Sequence, residues 1–402
     1  VSGVLLRTRA PRVDRAGQRW RLVLFVAAAL ATTAAARVAH AYPQWQLSTG
    51  TARCNQCHYS PGGGGLINSY GRDAVGDQLS TFGGNGAFLH GAVDLPAWLA
   101  LGGDFRGAFV DQDVQDPGGN AVAVFPMQAD VAARVALPYG LSVSGVLGLR
   151  GQVRDPDLIV PDQNFQPVTT SRLLSREHYV MWQPEALGPY LRAGRFYAPY
   201  GLRLAEHTAY VERDLGFDEG EETYNVSGGV IEPHQELHIT AFAPDFWRHI
   251  GSDEKGFAAY LETRFRDDTI AVAGQARLAL SPGVTRLMAG VVGKVYVDGL
   301  RTLFMGEVDA VNQTFTELAD TNRTQMVGAV GFATLPINGL MITVLGERNQ
   351  VDVQLDDAWT AGTLLINWFP YAHFEAQLME RLQFPTGGNV ANTLFIQLHY
   401  FL

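Results

Sequence analysis

The chain has 402 residues, with 30 basic and 40 acidic side chains giving a formal net charge of −10, 47% hydrophobic and 17% charged residues, and two cysteines. This composition excludes a disordered tail, a disulfide-stapled mini-domain and a collagen-like fibre, and its acidity argues against nucleic-acid binding. The length suits either two or three soluble domains or one large barrel.

Residues 1–41 carry the three parts of a secretory signal. Arg12, Arg15, Arg19 and Arg21 form the basic part, Leu22 to Ala36 the apolar run, and Ala39-His40-Ala41 a small-x-small cleavage site. The apolar run is short for a membrane span and polar sequence follows it, so cleavage is expected, with a mature start near Tyr42. Removing the segment's seven Arg and one Asp leaves 23 basic and 39 acidic residues, a net charge of −16.

Both cysteines fall in Cys54-Asn55-Gln56-Cys57-His58, the C-x-x-C-H pattern of covalent c-type haem attachment. Two thiols at this spacing reach the two vinyl groups on one porphyrin edge, and the adjacent His ligates iron from below. A redox dithiol needs a thioredoxin-like βαβ setting and a zinc site needs a second ligand pair, neither of which the sequence offers. A structural disulfide is the plainest alternative. The segment expected to carry one covalent haem c, residues 42–96, is interrupted by Gly62 to Gly65 and by Gly83, Gly84 and Gly86. It has room for a helix or two around Leu66 to Tyr70 and is near the lower size limit for an independent core. Cys54, Cys57 and His58 are the expected haem-binding residues, with His58 as proximal iron ligand. For the distal position the segment offers only His90, which serves equally well as an ordinary polar turn residue. Barrel histidines that alternation puts on the polar face, such as His238, His373 and His399, are alternatives.

From residue 97 to 402 the pattern is of strands. Val131, Ala133, Val135 and Leu137 alternate with Asp130, Ala132 and Arg134, and Phe257, Ala259, Leu261, Thr263 and Phe265 with Tyr260, Glu262, Arg264 and Arg266. Ile270, Val272, Ala276, Leu278 and Leu280 oppose Gln275 and Arg277. Period two with one apolar face marks strands. Sixteen are expected, near 97–112, 122–137, 140–154, 172–184, 188–197, 222–231, 235–244, 255–267, 269–281, 283–297, 300–313, 322–335, 338–350, 356–369, 371–384 and 391–402. Alternate connections are short and turn-rich, including Pro138-Tyr139-Gly140, Asp267-Asp268, Asp298-Gly299 and Pro336 to Gly339. The other set includes the long Asp155 to Ser171 and Ala198 to Glu221, with Pro282-Gly283 a short exception. This asymmetry predicts an all-β transmembrane barrel of about 16 antiparallel strands, with both termini periplasmic and a small, mainly irregular or α haem-binding segment before it. Leu394, Ile396, Leu398, Tyr400 and Leu402 give the last strand an apolar face reaching the C-terminus, as in outer-membrane proteins. One or two large soluble β-sandwiches remain the alternative.

The order Tyr42-Pro43-Gln44-Trp45, Cys54-Asn55-Gln56-Cys57-His58 and Asn68-Ser69-Tyr70-Gly71-Arg72 resembles the N-terminal segment of fused monohaem cytochrome-porins of the outer membrane, a family that includes iron oxidases. The likeness covers about thirty residues, and the barrel by architecture only. Arg192 to Leu202 is similar to a stretch of phosphate-selective porins. The first resemblance implies a haem-plugged barrel that moves electrons across the outer membrane, as an Fe(II):cytochrome c oxidoreductase if the donor is Fe(II). Its implied partners are periplasmic c-type cytochromes, an extracellular metal ion or other redox partner, and outer-membrane lipid. The second keeps open an anion-type porin with a haem-bearing plug, and a structural barrel of an envelope complex is a third reading. Glu206, Glu212, Asp214, Asp218, Glu219, Glu221 and Glu222 crowd the longest expected external loop, as a lure for divalent cations or simply a solvated loop. Arg134, Arg150, Arg264, Arg266, Arg277 and Arg381 are expected to face inward, as an anion path or in ion-pair ladders with Asp130, Glu262 and Glu375.

Overall fold

The computed structural model describes residues 53–74, 79–114, 119–150, 173–204, 206, 208–217, 221–245, 253–316 and 322–402. The expected signal segment, the Tyr42 to Trp45 motif, the loop Asp155 to Ser171, and Asp218 and Glu219 lie outside them. Sixteen strands form one closed antiparallel barrel in which every strand pairs with its sequence neighbours and β1 with β16. They are β1 (Leu99–Val114), β2 (Gly119–Ala136), β3 (Leu141–Arg150), β4 (Leu173–Trp182), β5 (Gly188–Phe196), β6 (Thr223–Ile231), β7 (Gln235–Ala243) and β8 (Lys255–Phe265). The circle continues through β9 (Ile270–Ser281), β10 (Val284–Val297), β11 (Thr302–Phe315), β12 (Arg323–Ile337), β13 (Leu340–Gln350), β14 (Ala358–Trp368), β15 (Phe374–Pro385) and β16 (Ala391–Phe401). Closure rests on pairs such as Phe105 with Tyr400 and Phe109 with Ile396, and it leaves no open strand edge.

Alternation sets which side chains face out. On β8, Phe257 and Leu261 are exposed on the outer wall, while Tyr260, Glu262 and Arg264 are buried in the lumen. The same split separates Val272 from Ala271 and Ala273 on β9. An apolar outside around a polar inside is the inverse of a water-soluble barrel and requires lipid against the outer face. Among the described residues no helix is long and apolar enough to cross a membrane. Between β3 and β4 the register shifts at Val146 and Leu147. Arg176 occupies that bulge, and its Nε reaches Asp130 Oδ2 at 2.6 Å.

Two expectations of orientation change. Arg266 sits in the β8–β9 turn at φ 52°, exposed, because the strand ends at Phe265 before alternation can bring it inward. His373 lies in the turn before β15 rather than on a strand face. Of the expected ladders, Arg264 pairs with Glu262 at 3.3 Å, and further pairs join Arg264 to Glu236 at 3.1 Å, Lys294 to Glu262 at 2.9 Å and Arg381 to Glu347 at 2.5 Å.

The connection between β5 and β6, expected as a solvated external loop, folds into the lumen. Leu202, Leu204, Ala209, Tyr210, Val211 and Leu215 pack against Met288, Val292, Met305, Val311, Leu345 and Leu365 of the inner wall. Fully burying an aliphatic side chain of this kind contributes about 1.5–3 kcal/mol, which a loop in water would forgo. A short helix, α3 (Tyr210–Arg213), caps the arrangement. At Gly201 the chain takes φ 66° and runs so close to β11 that a Cβ would lie 2.6 Å from Glu307 Oε1, so only glycine fits.

Val330 is 68% exposed at the middle of β12. Val330→Arg is expected to destabilise the barrel by about 2–4 kcal/mol, measured by urea titration of folding into lipid vesicles; an unchanged midpoint would mean that lipid does not cover this face.

Candidate functional site

The C-x-x-C-H residues occupy a single helical turn, α1 (Cys54–Cys57), followed by a second short helix, α2 (Ser69–Ala74). The first turn is closed by its own termini. Arg53 N–H donates to Gln56 Oε1 at 2.9 Å, and His58 N–H donates to Cys54 O at 2.9 Å. His58 itself is extended, at φ −111° and ψ 152°, and bridges Ile67, so the chain leaves the helix at the residue after Cys57. The two thiols therefore lie one turn apart and are not joined in a disulfide.

The downstream motif residues support this turn. Asn68 Nδ2 donates to Gln56 O at 2.9 Å and Asn55 O at 3.3 Å, its backbone N–H donates to Cys57 O at 2.8 Å, and its Oδ1 accepts Gly71 N–H at 3.0 Å. One asparagine thus satisfies carbonyls that a four-residue helix leaves without intrahelical donors. Gly71 is required by closeness: a Cβ there would lie 2.6 Å from Cys57 O. Arg72 is buried and donates to Ile67 O and to Leu101 O of β1.

The barrel holds the segment from several sides at the short-turn end. Arg53 Nη1 donates to Pro233 O at 3.1 Å and Asn55 Nδ2 to Ala186 O at 2.6 Å, in the β6–β7 and β4–β5 turns. From the inner wall, Arg192 Nη1 donates to Ser60 Oγ at 2.7 Å, and the Arg134 guanidinium lies 4.5 Å from the Tyr59 ring centroid. From the infolded loop, Arg203 Nη1 donates to Gly62 O and lies 3.5 Å from Cys54 Sγ. Its guanidinium stacks over Tyr260 at 4.8 Å, and its Nη2 lies 3.9 Å from Glu236 Oε1. Below it Glu236 pairs with Arg264, and Glu262 with both Arg264 and Lys294.

Burial raises both thiol pKa values. Cys57 is pushed up to about 12; Cys54 is raised as well, with Arg203 opposing the effect.

The structure thus brings Cys54, Cys57 and His58 together in the mouth of the lumen, and it does not bring His90 to them. His90 lies on a 3-10 turn (Phe88–Gly91), exposed, with Nε2 3.2 Å from Tyr400 Oη and its ring 4.5 Å from that of His373. Those partners belong to β16 and the β14–β15 turn, roughly across the barrel from the β4–β5 and β6–β7 turns that carry α1. The acidic loop residues are internal caps: Glu206 Oε1 accepts from Thr208 N–H and Oγ1, Glu212 Oε1 from Leu204 N–H, and Glu222 Oε2 from Arg195. Among the described residues no cluster of three or more His, Cys, Asp or Glu is arranged to hold a metal ion. The stretch Arg192 to Leu202 is likewise committed, with Arg192 on Ser60 and Arg195 on Glu222 and Asp245.

Arg203 and Glu236 were missed in the sequence reading. The signal was present in the apolar Leu202, Leu204, Val211 and Leu215, which a loop in water has no reason to carry.

No family model and no curated protein matches the chain. Solved structures that resemble it are outer-membrane proteins. OmpTdeltaL8, a loop-deletion mutant of Vibrio cholerae OmpT, is 11% identical over 76% of this chain and 99% of its own, at TM-score 0.53. OprB of Pseudomonas putida is 9% identical over 76% and 94%, at 0.54. The anion-selective porin from Comamonas acidovorans is 8% identical over 76% and 99%, at 0.51. The fold is a porin-type barrel.

Two outcomes follow from this geometry. In chain refolded without haem, Cys57 holds about a thousandfold less thiolate at pH 8 than an ordinary cysteine. Iodoacetamide should therefore label it rapidly only after unfolding; quick labelling of folded protein would contradict its burial. Gly71→Ala should force α1 and α2 apart and open Cys57 to iodoacetamide in the folded chain, because its Cβ would meet Cys57 O at 2.6 Å, whereas Ser69→Ala should leave Cys57 protected.

Proposed function

We propose that the chain is an outer-membrane electron conduit in which one covalent haem c, attached through Cys54 and Cys57 and ligated by His58, is held in the mouth of a plugged porin-type barrel. The observation that carries this reading is that a haem-attachment sequence forms one helical turn fixed to the barrel by Asn55, Ser60 and Gly62, with Arg203 of the infolded loop beside Cys54. The donor set fits the group, with two thiols one turn apart and an imidazole on the next residue. Bound there, haem c supplies a one-electron iron couple.

The chain's own residues do the rest. Asn68 and Gly71 shape the turn, Arg192 and Arg203 fix the following loop to the wall, and the packed β5–β6 loop excludes bulk water from the lumen. The proposed orientation places both termini, and with them the haem segment (42–96), on the periplasmic side of the barrel (97–402), facing periplasmic c-type cytochromes. The other end faces an extracellular donor or acceptor, with Fe(II) as a candidate substrate; in that direction the activity is Fe(II):cytochrome c oxidoreductase.

An anion-type porin with a haem-bearing plug is the second reading, resting on the lumen arginines. The carboxylates on Arg195, Arg264 and Arg277 speak against it, because those three guanidinium groups are already matched, and the similarity to an anion-selective porin speaks for it.

The first test is the visible spectrum of detergent-purified protein, oxidised in air and then given Fe(II) anaerobically. Sharp reduced c-type bands on Fe(II) addition are expected for an iron-facing conduit; reduction by dithionite alone would move the assignment to another donor. In planar bilayers the protein should pass little ionic current, and a steady open-channel conductance would favour the porin.

A further inference from the structure

The distal side of the iron remains to be assigned, and the wall beside α1 offers a residue for it. His238, on β7, is completely enclosed in the lumen. Its Nδ1 lies 2.7 Å from Tyr190 Oη, and that hydroxyl lies 3.2 Å from Ser227 Oγ, which also accepts from Thr240 Oγ1 at 2.9 Å. Its other nitrogen, Nε2, is buried and makes no hydrogen bond. The nearest acid, Glu236 Oε1, is 3.6 Å away, too far for one. Glu236 is also matched by Arg264 at 3.1 Å and approached by Arg203 at 3.9 Å.

A buried nitrogen whose one polar contact is a carboxylate oxygen beyond hydrogen-bond distance is costly unless something else uses it. The relay through Tyr190 and Ser227 lets Nδ1 hold the proton, which leaves the Nε2 lone pair bare. That is the ordinary state of a metal-ligating histidine, whose second nitrogen is fixed by an outer hydrogen bond. His238 is also close to the attachment turn. Glu236 is near both His238 Nε2 and Arg203, and Arg203 lies 3.5 Å from Cys54 Sγ.

Among the described residues, the other barrel histidines have partners of their own. His373 has a backbone carbonyl on each ring nitrogen, Phe401 O at 2.6 Å and Asn85 O at 3.0 Å. His399 lies between Glu375 at 2.7 Å and Asp104 at 3.2 Å. His234 is exposed and pairs with Asp268, and His178 Nδ1 meets Ser175 Oγ at 2.8 Å. His90 belongs to the far wall, against Tyr400.

We propose that His238 Nε2 is the distal ligand of the haem iron, oriented from behind by Tyr190. The inference rests on the haem reading above and deepens it, since it makes the barrel wall itself part of the redox centre.

The test uses full-length protein purified in detergent from cells with c-type maturation. A pyridine haemochrome spectrum first reports whether haem is covalently bound; its absence from wild type would defeat the haem reading itself. With haem present, wild type should be six-coordinate and low-spin by absorption and electron paramagnetic resonance, and a high-spin wild type would overturn the assignment. His238→Ala should keep the haemochrome yield yet lose the low-spin signal, with added imidazole restoring it, while His90→Ala should remain low-spin. A low-spin His238→Ala spectrum identical to wild type would overturn the proposal. If the alanine variant does not accumulate, His238→Met decides by potentiometry: a more positive midpoint is expected, and an unchanged one rejects the ligand.

Discussion

The inner wall carries carboxylates that must be satisfied away from bulk water, and this requirement organises the lumen. Glu307 and Asp309 on β11 and Glu347 on β13 are all buried. The β5–β6 loop supplies a donor to each, Leu202 N–H to Glu307 at 2.7 Å, Tyr200 Oη to Asp309 at 2.6 Å and Tyr210 N–H to Glu347 at 2.6 Å, beside Gln275 Nε2 on Glu307 and Asp309 and Arg381 on Glu347 from the wall itself. An intramolecular hydrogen bond contributes about 0.5–1.5 kcal/mol, and a buried polar group left without one costs about 1–3 kcal/mol. Loop and wall therefore depend on each other, and the infolded position is the one that satisfies both.

That position determines what the N-terminal segment meets. Once Tyr200 and Leu202 are tied to β11, Arg203 between them and α3 is directed at Gly62 and Cys54. The described part of the segment is small and glycine-rich, with little apolar surface of its own, which is below what a free domain needs. It compensates by borrowing barrel groups: the Pro233 and Ala186 carbonyls, Arg192, and Leu101 O for Arg72. At its far end Thr81 and Phe82 N–H donate to Phe369 O and Pro370 O. The segment is thus fixed at both ends of its described length, consistent with a plug that stays in place.

The strands were legible because alternation is a local property. Each of the sixteen expected runs overlaps an observed strand, and the turn residues Pro138 to Gly140 and Asp298-Gly299 fall where the chain reverses. Boundaries shifted by a few residues where alternation fades into turns, as at Arg266. Of the two short helices before the barrel, α2 overlaps the run around Leu66 to Tyr70 where a helix was expected, while the single turn at Cys54–Cys57 depends on Asn68, thirteen residues beyond its first carbonyl partner. The infolded loop was not legible, because length and acidity alone suggest solvent exposure, and the wall acids that hold it, Glu307, Asp309 and Glu347, lie more than a hundred residues away in sequence. His90 was singled out by nearness in sequence to His58. The barrel places it instead against β16, and nothing local to residues 88–91 records that wall.

A wide sixteen-strand barrel ordinarily leaves an aqueous channel, and a channel for ions needs a wettable inner wall along its whole length. From β10 to β15 this wall carries Met288, Val292, Met305, Val311, Leu345 and Leu365 at lumen-facing positions, all nearly inaccessible and covered by the β5–β6 loop. Such a surface is wasted in a pore, where water would meet it, and useful in a sealed body, where it fixes the loop that fixes Arg203. Adjoining it, from β5 to β10, the lumen is ionic, with Arg192, Arg195, Glu236, Arg264, Glu262 and Lys294 enclosed. Packing on one side holds the plug still and matched charge on the other surrounds the thiols. Under the proposed conduit reading, such a rigid setting with fixed charges would let a one-electron site change oxidation state without rearranging its surroundings.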